Sequence, residues 1–400
     1  MNTKRIVISG TGCALADFLY RNISFNSPEF MKYLSKEAAD GGLCPGRLIF
    51  TEELEKFSGR SYNEILKEIT DDKPPDAFNV GGPSLVSLIH ASQMLGNKDF
   101  EVRFFGLAGK DETAAKIFKM LKDTPLNIQN YQAVENLTSP FTDVFSDPFY
   151  DSGHGERTFV NNIGAAWNYS PEMLTDDFYN SRIACFGGTA LVPQIHDNLT
   201  FILNKARTRD CITVVNTVFD FRNEKRNPEA PWPLVHSEKS FSLIDILIMD
   251  REEALRISFQ KTILDAASWF YASGVKSFII TNGRNDVFAW SGGDLFEKTS
   301  VQQFPVSERV TKELADNPDL KGDTTGCGDN FAGGIIASVA SQLKKKSGGK
   351  LDLVEALSWG MASGGFCCYT LGGTYHEKFP FEKRSRILEL QKDYLIQIGY

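Results

Sequence analysis

The sequence predicts a layered α/β fold built on a mainly parallel sheet. Short apolar runs recur along the 400 residues, rich in β-branched and aromatic side chains and without clean alternation, as strands buried on both faces read. Helical patterns lie between many of them, and strand alternating with helix argues for parallel strands joined by crossovers. With 42% apolar and 24% charged residues, the chain can build a large core.

Taken in order, RIVIS near Ile6 opens the series of strands. The stretch from about 22 to 76 breaks the rhythm, being polar, mixed and mostly helical in pattern. GPSLVSLIHASQML and DETAAKIFKMLKD are helical patterns on either side of the strand VRFFG near Phe104. The segment from about 139 to 164, SPFTDVFSDPFYDSGHGERTFVNNIG, alternates and is turn-rich, which predicts exposed β-hairpin material in a small flap beside the main sheet. RIACFG near Cys185, ITVVNTV near Val214, DILIM near Leu247 and SFIIT near Ile279 continue the strands. No internal repeat or low-complexity tract interrupts them.

The bulk numbers exclude several classes. The net charge is −8 and the one basic block, KKKSGGK from Lys344 to Lys350, is short enough to be a solvated helix end, so nucleic acid is not an expected partner. Seven cysteines at 13, 44, 185, 211, 327, 367 and 368 form no CxxC pair, which fits a reduced, intracellular protein. The start, MNTKRIVISG, runs straight into a strand, and no run of about eighteen apolar residues follows, so a cytoplasmic protein with no membrane partner is expected. The five histidines show no ligand spacing that would hold zinc.

The stretch GDTTGCGDNFAGG, Gly322 to Gly334, carries the chemistry. It is a glycine loop entering an Ala/Gly-rich helix, with no lysine or arginine. Helix N-termini present unpaired N–H groups and a partial positive charge. Glycines let those amides approach a ligand closely, so the backbone of Gly326, Cys327 and Gly328 can hold an anion unaided. Asp329 would stand at the first turn beside that anion. A carboxylate does not bind phosphate, but it can take a proton from an attacking hydroxyl while the amides stabilise the transferred group. On this loop alone, helix capping explains Asp329 as well as catalysis does.

DTTGCGDNFAGG resembles the C-terminal signature of the ribokinase-like (PfkB) carbohydrate kinases, and other pieces follow in that family's order. GTGCALADFLY is similar to the first strand and turn, NVGGPSLVSLIHASQMLG to the Gly-Gly signature, FFGLAGKDETAAKIFKML to the next glycine segment, and GHGERTFVNNIGAAWNYSPE to the flap. DILIMDREEA stands where the family has Asn-x-x-Glu, and IITNGRNDVFAW where it has Thr-x-Gly-x-x-Gly. The resemblance spans nearly the whole chain.

It implies a ribokinase-like three-layer α/β/α domain over residues 1–400, with a small β lid drawn from about 14–80 and 137–165 and an unusual insertion at about 22–76. It implies ATP and Mg²⁺, allows K⁺, and points to phosphorylation of an alcohol; the insertion at about 22–76 allows a homodimer contact. Asp329 matches the general base and Gly326, Cys327 and Gly328 the anion hole. Asp17, Gly81, Gly82 and Glu156 match substrate-contacting positions, with Asp17 at the end of the first strand. Asp250, Glu253, Thr281 and Gly283 match nucleotide positions, Glu253 ordering water around Mg²⁺. Asp323 and Thr325 match a monovalent-cation site. Three positions depart from the pattern: Val86 replaces a sugar-contacting Asn, Asp250 replaces an Asn, and Asp286 replaces the last glycine of its motif.

Arg157 reads as a surface residue of a hairpin and Cys327 as a small residue of the loop. Three functions remain open: a sugar kinase, a nucleoside kinase of the same fold, and an inactive binding or regulatory homologue.

Overall fold

A computed structural model describes residues 5–37, 40–322, 324–346 and 348–400. Numbered along the chain, the strands form two sheets among these residues. The larger has the order β14 (Thr299–Phe304), β13 (Asn285–Ser291), β12 (Ser277–Asn282), β11 (Ile246–Asp250), β10 (Ile212–Asn216), β9 (Ile183–Gly187), β1 (Ile6–Gly12), β5 (Phe100–Gly109), β6 (Asn127–Val134). It is parallel from β12 to β6, and β13 and β14 join antiparallel at one edge.

The central strands are buried on both faces, which explains their unalternating sequences. Along β9, Ile183 and Cys185 pack into one core with the helices Pro83–Leu95, Cys327–Lys345 and Leu353–Cys367. Ala184 and Phe186 pack into a second core on the other face, with the helices Leu199–Thr208 and Ile263–Ala272. Strand order reverses at β1, whose neighbours are β5 and β9. Ligands of open α/β sheets bind beyond the carboxyl ends of strands at such a point.

The smaller sheet has the order β3 (Leu48–Phe50), β8 (Glu156–Asn162), β7 (Phe141–Asp147), β2 (Leu15–Arg21), β4 (Ala77–Gly81). Here two expectations change. Asp17 does not end the first strand; it lies in β2, in the smaller sheet, paired with Asn79 and Thr142. The chain switches sheets at Cys13 and Ala14 and carries Asp17 with it. The expected exposed hairpin, β7 and β8, is instead mostly buried along β7. The cause is the stretch from 22 to 76. Its helices Pro28–Met31, Thr51–Ser58 and Tyr62–Thr70 cover one face of the sheet and build a third core of Phe25, Phe30, Leu54, Ile65 and Phe145, among others. The Tyr62 hydroxyl donates to Asp143 Oδ2 at 2.5 Å within it.

Register sorts the two faces. Phe18, Tyr20, Phe141, Phe145 and Val160 share the face turned to that third core, and Asp17, Asn79, Thr142, Arg157 and Phe159 share the other. No helix among the described residues is long and apolar enough to cross a membrane.

Candidate functional site

The second face of the small sheet looks onto the turn between the sheets. A Cβ added at Gly81 would stand 2.1 Å from Asp17 Oδ2, so this glycine leaves room for the carboxylate. Gly82 has φ +92°, and the Ser84 and Leu85 N–H groups that follow it donate to Cys13 O at 3.1 and 3.2 Å. The Gly-Gly signature thereby seats the Pro83–Leu95 helix against the turn that carries Asp17. Val86, four residues on, is buried and packs against Gly373, offering no polar group there.

The glycine loop arrives from the other side. Gly326 has φ +78° and caps the Cys327–Lys345 helix, and a Cβ there would lie 2.4 Å from Gly373 Cα. Both facts demand glycine. Gly328 is different: it is exposed, and an added Cβ would meet nothing within 4 Å. Of the three amides singled out in sequence, Cys327 N–H already donates to Thr324 O at 3.3 Å. Asp329 follows, and burial of its carboxyl pushes it up to about 7.

Asn79, paired with Asp17, donates its Nδ2 to Leu371 O at 3.1 Å, two residues before the Gly373 that packs on Gly326, so the Asp17 strand and the head of the Asp329 helix meet at one turn. The buried Cys13 thiol is pushed up, first by desolvation and then by the negative charges of Asp329 and Asp17. Glu253 lies close as well. Burial first, then the charge of Asp250 and, more weakly, that of Asp329, raise it to about 8. Its Oε2 accepts from Thr217 Oγ1 at 2.6 Å and from Asp250 N at 2.9 Å, while Asp250 Oδ1 accepts from Glu253 N at 2.8 Å. This capping box explains the change from Asn: Asp is an equally good N-cap. Thr281 pairs with Asp250 at the end of β12, and Gly283, φ +59°, makes the tight turn into β13.

Glu156 lies on the other face from Arg157, its carboxylate beside Gly46, and so is turned away from the loop. Arg157, read from sequence as a surface residue, is the one that reaches it: its Nη1 donates to Thr325 Oγ1 at 3.0 Å, with the guanidinium 5.6 Å from the Phe159 ring centre. Strand parity was the available signal, since Glu156 and Arg157 must face opposite ways. Asp323 lies outside the described residues. A cavity of about 1420 Å³ lies elsewhere, beyond Phe18 and Phe78, and is lined by Lys116, Lys119 and Phe381 among others.

Sequence reasoning missed what braces the loop from behind. Asn330 Nδ2 donates to Gly326 O at 2.9 Å and Gly373 O at 2.8 Å. Its Oδ1 accepts from Lys383 Nζ at 2.9 Å and meets His90 Nδ1 at 2.7 Å, and His90 Nε2 meets Ser363 Oγ at 2.8 Å. Burial holds His90 well below its usual range and so neutral. These residues come from four distant segments, so no local motif announces them.

Lys383 is fully buried, and desolvation pulls it down to about 7. An unfolded lysine keeps its proton to about 10.4. Between those values the unfolded chain binds more protons, so stability rises with pH through that window. Lys383→Met should flatten this rise, which is on the order of 3 kcal/mol. Urea unfolding from pH 7 to 10 measures it, and an unchanged slope in the variant would refute the assignment.

The pfkB family carbohydrate kinase model matches residues 77–378. A cytidine kinase from Thermococcus kodakarensis is 32% identical over 96 residues, 24% of this chain and 30% of that relative's length. Among solved structures, adenosine kinase from Schistosoma mansoni in complex with 2-fluoroadenosine superposes with a TM-score of 0.67 at 17% identity, covering 92% of this chain and 97% of that one. Ribokinase from Arabidopsis thaliana, complexed with ribose and ATP, gives 0.61 at 17% identity, covering 98% and 99%. The likeness to these structures shows a ribokinase-like α/β fold, and the family model, matching three quarters of the sequence, shows the family: the chain belongs to the pfkB family of carbohydrate kinases.

Proposed function

We propose that the chain transfers the terminal phosphoryl group of ATP to a hydroxyl of a small sugar or sugar-like acceptor. The observation that carries this is the meeting of the Asp17 strand pair with the loop that heads the Asp329 helix, Asn79 Nδ2 donating to Leu371 O at 3.1 Å and Gly373 packing on Gly326, beside a first helical turn that faces open space. Asp17 would grip acceptor hydroxyls from the sheet. Asp329, raised to about 7, would take the proton of the attacking hydroxyl near neutral pH. The Gly326 and Gly328 amides would receive the developing charge, and Arg157 would add a fixed positive group at the rim.

A triphosphate fits this loop because a Cβ at Gly328 would fill space that is otherwise empty. Mg²⁺ would neutralise phosphate charge; Glu253, by the loop, would hold it through water. The Thr325 hydroxyl, which accepts from the Arg157 guanidinium at 3.0 Å, is poorly placed to hold a monovalent cation, because the guanidinium charge would repel it.

A nucleoside acceptor is the second reading. Val86 removes a polar contact, and Phe159 offers an aromatic ring on the face that carries Asp17. A screen of sugars and nucleosides by ADP release decides between them. With the best acceptor, Asp17→Ala should raise KM about 10- to 100-fold, the value of a hydrogen bond to a charged group, with nucleotide affinity little changed. An unaffected KM would place the acceptor elsewhere. If no acceptor supports ATP turnover, the inactive-homologue reading prevails.

A further inference from the structure

Three of the seven cysteines meet at the glycine loop, although Cys327 is 40 residues from the adjacent pair Cys367 and Cys368. Cys327 opens the Cys327–Lys345 helix, and Cys367 and Cys368 close the Leu353–Cys367 helix packed against it. The Cys327 and Cys368 sulfurs are 3.6 Å apart, and both residues are partly exposed. Cys367 is buried, its thiol donating to Thr325 O at 3.4 Å. The Cys368 carbonyl accepts from Gly322 N at 2.8 Å, so the same residue anchors the start of the loop.

We propose that Cys327 and Cys368 form a peroxide-sensitive modification site that disables the anion-binding loop by closing a reversible disulfide. The inference rests on the loop's proposed role in binding phosphate. The two thiols are in contact and reachable by a small hydroperoxide, and one of them is the first residue of the helix whose amides face the anion.

The roles of the two sulfurs differ. The hydrogen-bonded Cys327 thiol pulls Cys368 down to about 7 against burial, with Lys321 adding positive charge. Hydrogen bonds to Cys367 and Cys368 push Cys327 up. Of the two, Cys368 is the one drawn toward the thiolate form, and so is the attacking sulfur. The Cys368 thiolate attacks hydrogen peroxide: an S–O bond forms, the O–O bond breaks, and hydroxide leaves and is protonated to water. Cys327 then attacks the sulfenic sulfur. An S–S bond forms, the S–O bond breaks, and the departing hydroxide takes the Cys327 proton. Two thiols and one peroxide give one disulfide and two waters, with two electrons passing from sulfur to oxygen.

Closing from 3.6 Å to a bond of about 2.05 Å moves the sulfurs together by roughly 1.5 Å. Part of that shift falls on Cys327, the first residue of the helix, and a displacement of about 1 Å in groups that position a phosphoryl transfer costs on the order of 100-fold in rate.

The test treats the purified full chain with hydrogen peroxide. It maps cysteine links by mass spectrometry, measures ATP affinity, and follows ADP release with the best acceptor. Expected are a Cys327–Cys368 linked peptide about 2 Da lighter than its parts, a fall in ATP affinity and turnover of at least about 10-fold, and recovery with dithiothreitol. Cys368→Ser should keep basal affinity and resist peroxide. No link, a link to Cys367 instead, a link with undiminished ATP affinity, or equal loss in Cys368→Ser would each overturn the proposal. Mapping and ATP affinity need no acceptor, so failure of the kinase reading remains distinguishable.

Discussion

Asp329→Asn should lower turnover by about 10²- to 10⁴-fold, the usual value of a positioned base, while ATP affinity survives. The amides proposed to hold the phosphate are backbone and outlast the change. The same substitution should make the protein more stable above pH 7. Burial raises the folded carboxyl to about 7, against about 3.9 when unfolded. The folded chain therefore binds more protons between those values, and stability falls as pH rises through that window. Asparagine removes this loss. Because the residue is only partly buried, the gain is discounted to roughly 1–2 kcal/mol, less about 0.3–1 kcal/mol for a carboxylate lost from a helix N-terminus. Turnover of the native chain should rise with pH through about 7 as the base loses its proton. Steady-state ADP release, ATP binding and thermal unfolding measured side by side decide the matter. Near-native turnover would leave Asp329 only as a negative charge in the first turn of the helix, a role that predicts lower stability on its loss, the opposite sign.

The parallel strands were legible because both faces of β9 and β10 are buried, which leaves unbroken apolar runs. The loop was legible because Gly326 answers to a local demand, a positive φ. Arg157 was not, because its partner Thr325 lies 168 residues away and a lone arginine carries no local signal. The buried face of β7 was hidden for the same reason. Alternation reports local polarity, and the helices that cover Phe145 come from another stretch of chain. Lys383 shows the limit most clearly: a lysine in an otherwise charged helix start, EKRSR, reads as solvated, yet it is buried against Asn330.

Gly328→Val should separate folding from binding at the loop. At Gly326, the positive φ and the 2.4 Å approach to Gly373 mean that a side chain breaks the loop itself, so Gly326→Val should lose stability and activity together. At Gly328 no atom stands within 4 Å of an added Cβ, so the fold accepts valine at a helix-propensity cost near zero. The new methyls would occupy the open space over the first turn, where the phosphate must come within hydrogen-bond distance of the amides. ATP affinity should fall at least about 10-fold and turnover by about 10²- to 10³-fold, the measured value of a lost oxyanion donor, with the unfolding midpoint nearly unchanged. Calorimetric ATP titration beside thermal unfolding reads both effects. If Gly328→Val binds ATP and turns over like the native chain, the anion is not held over this turn. The open space at Gly328 would then be ordinary surface, and the phosphate site would have to be sought among other amides.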